Sequence, residues 1–198
     1  MTARAGPLPL VEIAYKWLAF HGMGKFTLRA IAKEAECSLG TLTYHFPNKS
    51  DLLEAIIDVH ITPLMRKPRA KRWPQDPLKE IKETVKAMLP LSEDMDIWWR
   101  ARVHLHAFRD AHPRLRSRMK KTVQEAEAHY GAQFAILTRQ EKSLHNQNPE
   151  KLCRHFLLML EGAGLTMLQL SMSERAHYGE PILSWLDDIT ADKHINGE

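Results

Sequence analysis

Apolar residues in this chain recur at the spacing of helices rather than strands. Leu28, Ile31, Ala32 and Ala35 fall at i, i+3, i+4 and i+7, which puts them on one side of a short helix. Thr27 stands just before it as an N-cap, whose hydroxyl accepts from a first-turn N–H that has no partner inside the helix. After a break at Glu36 and Cys37, Ser38 opens a second short helix, with Gly40 and Thr41 outward and Leu42 inward, ended by Phe46 and Pro47. Asn48 caps a further helix, Lys49 to Asp58, that turns Leu52, Leu53, Ile56 and Ile57 inward. An earlier helix, Val11 to Phe20, is stopped by Gly22 and Gly24.

The same period continues to the end of the chain. Pro77 to Leu89 carries Leu78, Ile81, Val85 and Met88 on one face and is closed by Pro90. Asp94 to Ala111 holds Trp98, Trp99, Val103, Leu105 and Phe108, and His112 and Pro113 interrupt it. Arg114 to Lys142 follows as a long helix with Leu115, Met119, Val123, Ala126, Tyr130, Phe134 and Leu137 at apolar positions, broken by Asn146, Asn148 and Pro149. Phe156 to Leu170 is apolar round nearly its whole circumference, and such a helix must be covered on all sides. Pro181 to Ile189 adds a stripe of Ile182, Leu183, Trp185, Leu186 and Ile189. No alternating run of strand length occurs, so the expected fold is all-α, with about nine helices.

Residues 27 to 52, TLRAIAKEAECSLGTLTYHFPNKSDL, are the most informative stretch, because two short helices joined by a tight break have the size to enter a DNA groove. Thr27, Ile31, Ala32, Ala35, Ser38, Gly40, Thr41, Leu42, His45, Phe46, Lys49 and Leu52 resemble the DNA-binding motif of the tetracycline-repressor (TetR) family of transcriptional regulators. The match covers about a quarter of the chain and extends to the helix before it. It departs from the family pattern at Glu36 for the turn glycine, Cys37 for the turn valine and Thr43 for the first aromatic of the recognition helix. If the turn needs a left-handed residue at position 36, a non-glycine there costs on the order of 1 kcal/mol.

The resemblance implies an N-terminal helix-turn-helix domain, residues 1–60, and a C-terminal ligand-binding and dimerisation domain, residues 61–198. It puts Ser38, Leu39, Gly40, Thr41, Thr43 and Tyr44 at the major groove, and Thr27, His45 and Lys49 at phosphates. Arg29 would reach either a guanine edge or a phosphate, while Leu42 and Phe46 are core. It also implies a homodimer through the last two helices. Two recognition helices related by a two-fold axis would read half-sites about 34 Å apart, so the operator is expected to be an inverted repeat.

Charge and cysteine usage narrow the alternatives. Net charge is +4, and its placement matters more than its size: residues 1–72 hold 11 Lys and Arg against 6 Asp and Glu, the remainder 17 against 18. An N-terminal excess suits a domain that approaches phosphates. Five of those cations, Arg66, Lys67, Arg69, Lys71 and Arg72, lie in one run among Pro63, Pro68 and Pro74, which reads first as a solvated linker. Two cysteines are no disulfide framework; Cys37 and Cys153 read as small core residues. No signal peptide pattern opens the chain, so a cytoplasmic protein is expected. The apolar run around Glu161 is shorter than the roughly 20 residues a bilayer requires.

The regulatory part is less sharply drawn. Trp98, Trp99, Arg102 and His106 share one side of their helix, and with Tyr130 and Phe134 they are expected to line a mostly apolar effector pocket with a few polar anchors. Phe108 lies roughly 160° round from His106 and belongs to the opposite flank. Paired tryptophans can box a cationic amine, and the stretch DIWWRARVHLHAFRDAHPRLR resembles choline-responsive repressors. The 11 histidines show no metal-ligand spacing, and no HExxH, CxxC pair or Gly-rich phosphate loop occurs. Neither enzyme activity, nor a metal, nor a cofactor is expected. The reading is thus a dimeric repressor released from DNA by a small molecule, with a constitutive DNA-binding or protein-interaction module as the alternative.

Overall fold

Capping residues decide where the helices begin. The computed structural model describes residues 6–63, 76–109 and 112–191. Within them nine α-helices follow one another: α1 Pro7–Lys25, α2 Leu28–Glu34, α3 Leu39–His45, α4 Lys49–Ile56, α5 Pro77–Met88, α6 Glu93–Phe108, α7 Pro113–Gln140, α8 Pro149–Met167 and α9 Glu180–Thr190. No strand occurs among the described residues, so the chain is all-α. The basic run Arg66 to Arg72 lies outside the described residues. Among the described residues no helix is long and apolar enough to cross a membrane.

The helices form two compact units, one joining α1–α4 to Asp96–Val123, the other joining α5 to the chain from Gln124 onward. In the first, Leu10, Ala14 and Leu18 of α1 are buried together with Phe26, Ile31, Leu42, Leu52 and Leu53. Thr27, Ser38 and Asn48 each cap a helix through the side chain, accepting from Ala30, Thr41 and Asp51 N–H. α2 ends in a Schellman closure: Cys37 N–H reaches Ala32 O at 3.0 Å and Glu36 N–H reaches Lys33 O at 3.1 Å. That closure puts the residue past the cap in the left-handed region, and Glu36 has φ 49. The expected left-handed turn is therefore present with a glutamate in it.

Gly22 has a different task. With φ 75 it kinks the last turn of α1, and a Cβ there would meet His104 Cε1 of α6 at 3.2 Å. At the far end of the unit α4 widens into a π-helical turn, Ile57–Ile61. Its His60 carbonyl accepts from Trp98 Nε1 at 3.1 Å, and the His60 ring stacks flat on Tyr15 with centroids 3.9 Å apart.

In the second unit α5 buries Ile81, Val85 and Met88, as its apolar face predicts. Tyr130 and Phe134 of α7 pack on Phe156 of α8 with centroids at 5.3 and 5.8 Å, and Phe134 also meets Trp185 of α9 at 6.3 Å. Arg175, buried, donates to Pro90 O at 2.9 Å and to Leu170 O at 3.1 Å, so a guanidinium ties the turn after α5 to the turn after α8.

Two expectations need correction. Asn148 and Pro149 are the beginning of α8, not a gap before it: the Asn148 side chain caps Glu150 and Lys151 N–H at 2.8 and 3.2 Å, and Pro149 needs no N–H at the first helical position. Val123 is exposed on α7 because Thr122 takes the inward slot, its hydroxyl donating to Arg118 O at 3.1 Å.

Replacing Glu36 by glycine is expected to raise stability by up to about 1 kcal/mol, since the left-handed strain disappears while the closure stays. Gly22→Ala is expected to lower it by at least that much, through both φ and the contact with His104. Urea unfolding followed by circular dichroism measures both.

Candidate nucleic-acid interface

α2 and α3 are too short to persist alone, and their inward residues hold them. Ile31, Ala32, Leu42 and Phe46 are buried, as the motif required. With Leu42 inward, the 3.6-residue turn carries Gly40 and Tyr44 to the other side of α3, with Thr43 on its flank. Tyr44 is 84% exposed, an unusual state for a tyrosine ring in a folded chain. Leu39, Gly40 and Arg29 are exposed as well. A Cβ at Gly40 would meet only Ser38 Oγ, at 3.6 Å. Nothing inside the chain thus requires a glycine at that position.

The hydroxyls of the motif are largely committed to the backbone. Ser38 Oγ accepts from Thr41 N–H at 3.0 Å and lies 2.9 Å from Thr41 Oγ1. Thr27 Oγ1 accepts from Ala30 N–H at 3.1 Å, and Thr43 Oγ1 donates to Leu39 O at 2.9 Å. Each keeps a lone pair for an outside donor, but Thr43 has already used its proton. His45 is half-buried, with Tyr44 edge-on at 5.0 Å and Phe46 at 6.3 Å.

Lys49, half-buried at the start of α4, turns its side chain toward the end of α1. Its Nζ donates to Met23 O at 3.2 Å and sits 4.6 Å from the Phe108 ring centroid and 5.5 Å from that of Phe26. Burial pulls its pKa below the ordinary lysine value. The carbonyl and the two ring faces favour the charged amine and oppose that shift. Phe108 indeed leaves the tryptophan side of α6, as its angular position predicted.

The six residues expected to line an effector pocket divide between the units, Trp98, Trp99, Arg102 and His106 in the first and Tyr130 and Phe134 in the second. Trp98 and Trp99 meet edge to face at 5.5 Å, both buried, and Arg102 places its guanidinium carbon 5.4 and 5.1 Å from their centroids. The ring faces that would box an amine already hold a cation of the chain. His106 Nδ1 lies 3.2 Å from Arg109 Nη1. The Tyr130 hydroxyl is pushed up to about 12 by burial.

Periodicity alone did not mark Glu80. It is buried on the inner face of α5, its carboxyl raised by burial, with His129 Nε2 3.5 Å away. The available signal was its place beside Ile81 and one turn before Thr84, a polar residue on an apolar stripe. A separate cleft of about 440 Å³ is lined by Gln124, Glu127, Ala128, Gly131, Glu150, Cys153 and Arg154. Cys153 is buried and free, its thiol raised to about 11 by burial, which suits the expected core role. Among the described residues no group of three or more His, Cys, Asp or Glu is arranged to hold a metal.

Residues 10–56 match the family model of bacterial regulatory proteins, tetR family. No curated protein matches the chain significantly in sequence. Among solved structures, a transcriptional regulator from Rhodococcus sp. Rha1 superposes with TM-score 0.80 at 17% identity, covering 94% of this chain and 96% of its own. A regulator from Saccharomonospora viridis, solved in complex with choline, has TM-score 0.79 at 18% identity over 92% and 93% of the two chains. SmeT, the repressor of the Stenotrophomonas maltophilia multidrug efflux pump SmeDEF, has TM-score 0.73 at 17% identity over 96% and 92%. The N-terminal segment is therefore a TetR-family helix-turn-helix domain. The chain as a whole has the all-α fold of TetR-family transcriptional regulators.

Two histidines in the first unit make its stability depend on pH. His60 is lowered from 6.5 mainly by burial, against the pull of Glu12, and His104 by burial and then by Arg100. A depressed folded-state value means the unfolded chain binds protons first, so stability is intact above about 6.5 and is lost as pH falls below it. The melting temperature is expected to drop between pH 6.5 and 5. The drop should shrink in His104→Asn.

Proposed function

We propose that this protein is a homodimeric, sequence-specific transcriptional regulator that reads an inverted-repeat operator through α3 and leaves it when a small molecule binds. The observation that carries the DNA-reading part is the division of α3 into a fully buried Leu42 and an opposite face holding a Tyr44 that is 84% exposed. Residues 1–60 would form the reading head, and residues 61–198 the effector and dimer part. Leu39, Gly40, Thr43 and Tyr44 would face the groove, joined by Ser38 and Thr41 at the start of α3, while Thr27, His45 and Lys49 flank it toward phosphates and Arg29 serves either role.

Dimerisation finds support in α8. Leu158 is 64% and Leu165 41% exposed, with Gly162 between them on the same side, where an added Cβ would meet nothing within 4 Å. Fully covering a leucine gains roughly 1.5–3 kcal/mol, and a two-fold axis covers each patch with its own copy. α9 would complete the contact. The operating place is the cytoplasm, where DNA is.

For the effector, the S. viridis regulator holds choline, and a quaternary amine could take the place of the Arg102 guanidinium on the faces of Trp98 and Trp99. His106 completes the proposed set within the first unit, and Tyr130 and Phe134 are buried in the second. The occupied ring faces equally favour the second reading, a constitutive DNA-binding module without effector. A thermal-shift titration with choline separates them: stabilisation that Trp98→Ala abolishes supports the amine box, and none removes it.

Selection of bound fragments from the source genome tests the main reading. An enriched inverted repeat is expected, and equal retention of all fragments would overturn it. On the recovered duplex, Tyr44→Ala is expected to weaken binding about ten- to hundredfold, in line with roughly 1–3 kcal/mol for lost base readout. Gly40→Ala should weaken it too while raising fold stability by up to about 1 kcal/mol. Leu158→Arg is expected to give a monomer in analytical ultracentrifugation.

A further inference from the structure

Polar side chains are few on the inner face of α5, and those present lie together. Glu80 and Thr84, one turn apart, are buried there beside Ile81 and Val85. His129 of α7 brings Nε2 to 3.5 Å from Glu80 Oε1, with both side chains largely out of water. The Thr84 hydroxyl donates its proton to Glu80 O at 3.0 Å, so it does not serve the carboxyl. The buried Tyr130 hydroxyl lies beside Thr84 and within reach of the Glu80 charge.

Other charges on the neighbouring helices stand nearer the surface. On α5 Lys79 is exposed, Lys82 pairs with Asp187 of α9, and Lys86 pairs with Glu83. Glu180, at the start of α9, is beside His177. On α7 Glu125 stands one turn before His129 and adds a second carboxylate on the imidazole's side. Cys153 of α8, acted on by Glu127 and Arg154, remains a thiol, raised to about 11 by burial.

Two ionisable groups this close, in a site that excludes water, take up and release protons as one system. With one proton the pair is either an ion pair or two neutral groups, and neither arrangement leaves a lone buried charge. With none, a desolvated carboxylate faces a neutral ring; with two, a buried imidazolium has lost its nearest counter-charge. The one-proton state is therefore kept over the widest range, wherever the proton sits. We infer that Glu80 and His129 hold a single proton between them as a tie between α5 and α7, and that alkaline solution releases this tie and loosens the second unit. The device operates whether or not the chain reads DNA. Burial, which raises the Glu80 carboxyl, acts in the same direction.

In the unfolded chain the glutamate proton leaves near pH 4.3 and the histidine proton at about 6.5. Above about pH 6.5 the folded pair thus binds more protons than the unfolded one, and stability falls as pH rises. His60 and His104 act below that value and in the opposite sense. Below about pH 8 the cysteines and tyrosines keep their protons in the unfolded chain too, so the window between is clean. Urea unfolding of the full chain at one protein concentration is expected to show the unfolding constant of the wild type rising about threefold or more across it, toward the limit of about tenfold per pH unit for one bound proton. In Glu80→Gln the rise should flatten. A rise equally steep in both proteins, or none in the wild type, would overturn the inference. NMR of the wild type reads the native state without a variant: the Glu80 carboxyl carbon or the His129 ring nitrogens are expected to titrate above about pH 6.5, and completion of both below it would refute the shared proton.

Discussion

The reach of the Cys37 N–H back to Ala32 O governs the DNA-facing part of this molecule. That bond closes α2 and sends the chain through a left-handed residue, so α3 departs at one angle and no other. Leu42, Ile31 and Phe26 are fully buried inside the head, and Tyr44 is left on the outside. A glutamate stands at the left-handed position, and the two hydrogen bonds that end α2 hold the turn there.

Much of this was legible along the chain, for a local reason. Caps and periodicity act within one helical turn, so Thr27, Ser38 and Asn48 announce their helices and Leu42, Phe46 and Leu52 their inward sides. The left-handed turn at Glu36 was likewise foreseeable, because it is set by the two hydrogen bonds that end α2. Asn148 was misread because an asparagine before a proline breaks a helix as often as it opens one, and only the direction of its side chain decides.

What the chain did not disclose depends on partners far apart in sequence. Lys49 meets Phe108, and Glu80 meets His129, across dozens of residues. The Lys49 ammonium also donates to Met23 O at the end of α1, a carbonyl that accepts from Phe26 N–H as well. The tryptophan pair was placed on the right side of α6, but Arg102, one turn on, supplies the cation that an outside amine was expected to bring. In each case one-dimensional spacing found the receptive group and the folded chain supplied its occupant from within.

The outward residues of α3 carry one more implication. Gly40 and Tyr44 lie outside the packed interior, while Leu42 is fully buried in it. Changes at the two outer positions therefore leave the packing of the head intact. On the DNA-reading function proposed above, a lineage descending from this chain is free to acquire new target sites at these positions without passing through an unfolded ancestor.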